Sequence, residues 1–155
     1  MNKNLFFSLI AIAFLSTGCV NNMIYGEYKT LPVTGWDKDS LAVFEVEITD
    51  TLTFCDVSAT IRNNTAYPYQ NIWLFVSVVS PQGAVTTDTL EYYLADGRGK
   101  WLGTSGIGSL YSMQVLLQKK TQFKQSGIYR FTIQHGMRED VLKGIRDIGL
   151  EIQTH

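Results

Sequence analysis

The sequence predicts an all-β fold: an antiparallel two-sheet β-sandwich, jelly-roll-like, of about seven or eight strands. Three observations carry that reading. Apolar and polar residues alternate with period two through most of the chain after residue 41. Turn signals separate the runs at Asn63-Asn64, Tyr67-Pro68, Pro81-Gln82-Gly83, Asp96-Gly97 and Ser126-Gly127. Of the 155 residues, 45 % are apolar, 12 % aromatic and only 17 % charged, so a core can form and disorder is excluded.

The elements follow in order. An extended segment is expected near Tyr25 to Leu31. Ala42, Phe44, Val46 and Ile48 share one face, opposite Glu45 and Glu47. Cys55, Val57, Ala59 and Ile61 alternate with Asp56, Ser58, Thr60 and Arg62, which describes a half-buried strand. Leu90, Tyr92 and Leu94 share a face, as do Tyr111, Met113, Val115 and Leu117. Tyr129, Phe131 and Ile133 form another stripe, and Ile148, Leu150 and Ile152 the last. Only Gly136 to Ile145 looks helical, with Met137 and Val141 four apart and Gly144 placed to end one short helix near the C-terminus.

Residues 72–79 differ, being apolar on both faces except at Ser77. An outer strand of a sandwich normally shows polar residues to water. Ile72, Leu74, Val76 and Val78 are the more uniform set and are assigned to the core. Trp73, Phe75 and Val79 then point outward and need a cover. The expected cover is the glycine-rich stretch from Asp96 to Ser109, folded over them with Trp101 inside. The alternative cover is a partner protein.

The chain opens with an address. Lys3 lies in a short polar start, Leu5 to Leu15 is apolar except at Ser8, and Ser16-Thr17-Gly18 lead directly into Cys19. About 11 apolar residues are too few to span a bilayer, which takes about 20, but they suit a signal peptide. Small residues before a cysteine form the bacterial lipoprotein pattern, in which the Cys19 thiol takes a diacylglyceryl group and the signal is cut before it. Leu usually stands three places before the cysteine; here that place is Ser16, and Leu15 lies one further out. The expected organisation is a signal peptide at 1–18, a lipidated tether at 19–25 and a single sandwich domain at 26–155.

The totals exclude several functions. A net charge of −1 argues against nucleic-acid binding and against a polybasic membrane surface. Two cysteines and two histidines are too few for a zinc cluster or a disulfide scaffold, so no metal or cofactor is expected. The glycine-rich stretch is not a phosphate loop, because Lys100 is followed by Trp101 and no helix follows. Gly103-Thr104-Ser105-Gly106 fails as a nucleophile elbow, since Ile107 stands where glycine is required. His135 continues an apolar strand face without an orienting partner, and His155 is terminal. Asp37 and Asp39 flank Lys38 in a turn without the ligand spacing of a calcium loop. Cys55 reads as a buried, inert free thiol. No catalytic residue is expected, and the chain does not read as an enzyme.

The aromatic residues leave more room. Trp36, Tyr67, Tyr69 and Trp101 fall in expected loops, where they could stack on pyranose faces or fold back to plug the ends of the sandwich. The second use is the commoner.

At this point the residues match a known pattern. The carrying segments are Gly35-Trp36-Asp37-Lys38-Asp39-Ser40-Leu41, Val46-Glu47-Ile48-Thr49-Asp50-Thr51, Tyr67-Pro68-Tyr69 with Asn71, and Asp88-Thr89-Leu90-Glu91-Tyr92. They continue with Gly99-Lys100-Trp101-Leu102-Gly103, Gly127-Ile128-Tyr129-Arg130-Phe131, Met137-Arg138, and the run Leu142-Lys143-Gly144-Ile145-Arg146-Asp147-Ile148-Gly149-Leu150. In these the chain resembles the GldH family of gliding-motility lipoproteins from the Bacteroidetes. The resemblance implies a cell-envelope lipoprotein associated with the gliding apparatus and without enzyme activity. The one functional residue it carries over is the lipidated cysteine, Cys19. Relatives of this kind also occur in cells that do not glide.

Val20-Asn21-Asn22, after the cysteine, hold no acidic tag of the kind that exports lipoproteins of this phylum to the cell surface. The expected location is therefore lipid-anchored at the outer membrane, facing the periplasm. Proteins of this phylum can carry O-glycans on Asp-Ser/Thr-apolar tripeptides, and Ser40, Thr51 and Thr89 stand in such sequences. Ser40 and Thr51 lie nearer expected turns. Two functional readings follow. One is a non-catalytic assembly component that contacts other envelope proteins; the other is a carbohydrate-binding lipoprotein using Trp36 or Trp101. A concave aromatic groove with a polar rim would favour the glycan, and a flat apolar patch the protein partner.

Overall fold

The structure, a computed structural model, describes residues 22–155. Cys19 and the signal segment lie outside the described residues. In chain order the strands are β1 (Met23–Thr30), β2 (Trp36–Asp37), β3 (Ala42–Ile48), β4 (Cys55–Asn63), β5 (Asn71–Val79) and β6 (Val85–Tyr93). They continue with β7 (Thr104–Ser105), β8 (Tyr111–Thr121), β9 (Gly127–His135), β10 (Val141–Leu142) and β11 (Ile145–Thr154). One sheet has the order β1-β11-β4-β8-β7, the other β3-β9-β5-β6, and β10 pairs with β2 in a small ribbon.

The wiring of the long strands is nested. β1 pairs with β11, β3 with β9, β4 with β8, and β5 with β6, all antiparallel. The chain is thus one long hairpin wound into two facing sheets, which is the jelly-roll arrangement the alternation predicts.

Register follows the pleat. In β3, Ala42, Phe44, Val46 and Ile48 are buried while Glu45 and Glu47 are exposed. In β9, Tyr129, Phe131 and Ile133 turn inward to meet them, with Phe44 opposite Phe131 and Val46 opposite Tyr129. Cys55, Val57, Ala59 and Ile61 of β4 and Ile148, Leu150 and Ile152 of β11 close the core from the other sheet. A one-residue slip would turn any of these stripes to water, so the apolar pattern holds the register.

The outward face of the five-stranded sheet is more buried than alternation suggests, because the Tyr28 ring of β1 lies over Gly149 and reaches Glu151 in its middle. Glu151, only 8 % exposed, accepts hydrogen bonds from the Tyr28 hydroxyl at 2.5 Å, Thr60 Oγ1 at 2.8 Å and Gln114 Nε2 at 3.0 Å. Both carboxylate oxygens are satisfied, as a buried carboxylate requires.

Three expectations change. Residues 136–145 form no helix: bends lead into β10, then a turn at Lys143 and Gly144 leads into β11. Leu142 and Ile145 are both fully buried, but on the two arms of this tight turn rather than on one helical stripe. Gly144 has φ +84°, a left-handed conformation that suits a turn as well as a helix end, so its meaning was ambiguous. β6 begins at Val85, earlier than Leu90, because its first half is an exposed edge without apolar alternation. β1 begins at Met23, inside the stretch expected to serve as tether.

Candidate functional site

β5 is the strand to follow. Its inward residues Ile72, Leu74 and Val76 are buried, which turns Trp73 and Phe75 outward, 38 % and 45 % exposed. The expected cover does not arrive. The glycine-rich stretch folds on itself, with Asp96 Oδ1 accepting from the backbone N–H groups of Arg98 and Lys100, both at 2.9 Å. Leu102 N–H then bonds to the Leu94 carbonyl at 2.9 Å. That hairpin carries Trp101 to the end of the roll, where its ring centroid lies 6.3 Å from Tyr67 and 5.7 Å from Tyr111. Trp101 is half-buried there, away from Trp73.

Trp36, expected as a possible contact residue, is fully buried. Its indole N–H donates to the Ser40 carbonyl at 2.8 Å, and His135 meets it edge-on at a centroid distance of 5.3 Å. β2 and β10 hold it down as a plug. It cannot stack on a ligand.

What lies beside Trp73 and Phe75 is the segment expected to be helical. Gly136 N–H donates to the Trp73 carbonyl at 2.7 Å, and the Trp73 N–H points at Met137 Sδ at 3.4 Å. A Cβ on Gly136 would stand 3.0 Å from Phe75 Cζ and 3.2 Å from Trp73 Cβ, so a side chain there would have to push Phe75 or Trp73 aside by a few tenths of an ångström, which glycine avoids. The segment forms one wall of a groove of about 620 Å³ with Trp73 and Phe75 in its lining. That volume lies within the ordinary range of binding clefts.

Polar groups stand around the aromatic floor. Tyr69, Asn71, Thr89, Arg138 and Glu139 complete the lining. The Tyr69 hydroxyl donates to Glu139 Oε1, while Glu139 Oε2 is buried without a hydrogen-bond partner among the described residues. Asn71 Nδ2 donates to Glu91 Oε1 at 2.5 Å. Burial and the nearby Glu139 carboxylate raise the Tyr67 hydroxyl above its ordinary pKa, and it donates to the Asn71 carbonyl at 2.6 Å. Tyr67 therefore ties the loop before β5 to the strand's first residue.

The other sequence candidates fall elsewhere. Asp37 Oδ1 accepts from the Asp39 N–H at 2.8 Å, and Lys38 pairs with Asp140, a solvent-exposed turn. Thr104 and Ser105 pair with Ser112 and Tyr111 at a sheet edge. His135 is buried beneath Trp36, and desolvation pulls its pKa down, only partly offset by the Trp36 backbone. Neither ring nitrogen makes a well-formed hydrogen bond among the described residues. Cys55 is buried, and burial, with the Asp50 and Asp56 charges adding to it, pushes its thiol up. Ser40 and Thr89 are exposed, whereas Thr51 is half-buried.

Sequence reasoning named Trp73 and Phe75 as outward residues, and Thr89 only as a glycosylation candidate, and missed the groove that the three line. Tyr69, Asn71, Met137 and Arg138 were visible as motif residues. The helical reading of 136–145 kept Met137 and Arg138 from being placed beside Trp73.

Comparison with known proteins follows this geometry closely in extent. Residues 23–152 match the family model for the GldH lipoprotein. A gliding motility lipoprotein GldH homolog of Christiangramia forsetii is 36 % identical, over 95 % of this chain and 93 % of its own length. Gliding motility lipoprotein GldH of Flavobacterium johnsoniae is 29 % identical, over 94 % of this chain and 93 % of its own. Among solved structures, a chain of the infectious bursal disease virus VP2 subviral particle has a TM-score of 0.35 at 13 % identity, over 85 % of this chain and 30 % of that one. That likeness is too slight to inform fold or function. The family-model match and the two relatives, each along nearly the whole described chain, show that this chain belongs to the GldH lipoprotein family.

Proposed function

We propose that the protein is a non-catalytic component of an envelope assembly related to gliding motility, held to the outer membrane by a lipid on Cys19 and acting in the periplasm through protein contacts. The observation that carries this reading is the aromatic floor of Trp73 and Phe75, turned outward in a groove that the other described residues leave open to solvent. Exposed apolar surface of this kind marks an interaction site. The names of the two relatives give the assembly its setting.

The polar rim favours a second reading, in which the groove takes a glycan. Trp73 and Phe75 would stack on a sugar ring, and Asn71, Arg138 and Glu139 would meet its hydroxyls. A photo-crosslinking amino acid in place of Phe75, in the lipidated protein in cells, separates the two. Crosslinks to a discrete envelope protein support the assembly role. Absence of such crosslinks, together with a tryptophan fluorescence change on adding envelope oligosaccharides that Trp73→Ser abolishes, supports the glycan instead.

A further inference from the structure

The two ends of the roll differ in chemistry. The aromatic plug of Trp36, Tyr67 and Trp101 closes one end. At the other, the chain enters the fold: the Asn22 carbonyl accepts the Thr154 N–H at 2.7 Å, beside the start of β4 and the end of β8. This entry end carries Leu52, 81 % exposed, with Phe54 and Ile24 also open to solvent.

Leu52 is held outward by a built turn. Asp50 Oδ1 accepts from the backbone N–H groups of Leu52 at 2.7 Å and Thr53 at 3.2 Å. Gln122 Nε2 bonds to the carbonyls of Thr51 at 2.8 Å and Leu52 at 3.2 Å, and His155 N–H bonds to the Phe54 carbonyl at 2.8 Å. Lys120 Nζ lies 5.6 Å from the centre of the Phe54 ring. Lys119 and Lys124 are exposed at the same end. Asp50, in its turn, and Asp56, with the Lys120 N–H and His155, keep their negative charges at the same end, as does the exposed Glu47. The lysines therefore stand among acids and offer local cationic contacts without an excess of positive charge. An apolar tip ringed by lysines suits the boundary between headgroups and acyl chains.

Chain length says what covers this end. From Cys19 to Asn22 the chain can reach at most about 11 Å. The headgroup layer on one side of a bilayer is itself only about 5–8 Å deep. We infer that the entry end is a second membrane contact, with Leu52, Phe54 and Ile24 seated in the outer part of the bilayer and the lysines among its headgroups. The inference rests on the reading of Cys19 as the lipidated residue. A two-chain lipid anchors stably by itself, so the contact acts on orientation rather than affinity. It holds the roll upright and presents the Trp73 groove away from the lipid, roughly 20 Å along β5 from its membrane end.

The test uses the full, lipidated chain in vesicles of phosphatidylethanolamine and phosphatidylglycerol carrying nitroxide-labelled lipids. A fluorophore is attached at Leu52→Cys in one sample and at Lys143→Cys in another, Lys143 being exposed at the far end. Several-fold stronger quenching at position 52 than at 143 is expected. Equal, weak quenching at both positions, with intact mass showing the diacylglyceryl group on the protein, overturns the second contact and leaves the anchor standing. A mass without that lipid overturns the anchor reading and this inference with it.

Discussion

Gly144 lies so close to Tyr67 that a Cβ on the glycine would stand 2.2 Å from the Tyr67 backbone nitrogen. With φ +84° at Gly144 as well, the turn between β10 and β11 accepts no side chain. Asn64 N–H bonds to the Gly144 carbonyl at 2.8 Å, so the contact fastens the β4–β5 loop to the β11 turn. Gly144→Ala should cost about 3 kcal/mol, combining the strained backbone with a clash that no rotamer relieves. Chemical denaturation of the purified chain measures it; a loss below about 1 kcal/mol would show that the turn can move.

His135 makes stability depend on pH. Its folded-state pKa lies below the ordinary 6.5, because burial penalises the charged ring. The unfolded chain then binds more protons, so stability rises with pH in this window. It is fully present above about 6.5 and falls as pH drops toward the folded value, by at most about 1.4 kcal/mol per unit for one proton. Glu27, Asp50, Asp56 and Asp140 have lowered pKa values, so their contributions fade only below the ordinary carboxylate range. Urea midpoints between pH 7 and about pH 5 should fall for the native chain and stay nearly level for His135→Leu. A parallel fall in both would remove His135 as the cause.

The strands were legible because burial writes itself as alternation. β3, β4, β9 and β11 each have one face in the core, and their apolar stripes predicted it. The start of β6 was not, since an exposed edge strand needs no stripe and takes its register from β5, Val79 opposite Val85. Residues 136–145 were misread because one apolar pair four apart fits a helix and a bent loop equally. The groove depends on that loop, so Trp73 and Phe75 could be named as outward from sequence, but Met137 could not be set beside them. Trp36 and Trp101 show the same limit: an aromatic residue in a loop gives no period from which to read its burial.

Thiol chemistry tests the anchor and the core together. Cys55 is 1 % exposed with its pKa raised by burial, so it should resist a thiol reagent until the chain unfolds. The native lipidated protein should show no reactive thiol, and the denatured protein one. A fast-reacting thiol in the native protein would mean that Cys19 is free or Cys55 accessible, and peptide mapping says which.

Glycan attachment is a separate proposal. Ser40 and Thr89 are exposed, whereas Thr51 is half-buried and its carbonyl is taken by Gln122. If these tripeptides are used, Ser40 and Thr89 should be modified ahead of Thr51. The intact mass of the protein from its native cell should exceed polypeptide plus lipid, and Ser40→Ala with Thr89→Ala should remove most of the excess. A mass equal to polypeptide plus lipid alone would end the proposal.

The most direct test of the central claim is Trp73→Ser, read for stability and partner recovery in the same preparation. Trp73 is 38 % exposed, flanked by Gly136 and Met137, and its backbone bonds persist in the variant. The unfolding free energy should therefore fall by no more than about 2 kcal/mol, while the crosslinked envelope partner is lost. A domain destabilised by several kcal/mol that still retained its partner would contradict the account, because Trp73 would then be a core residue and the groove would not be the contact face.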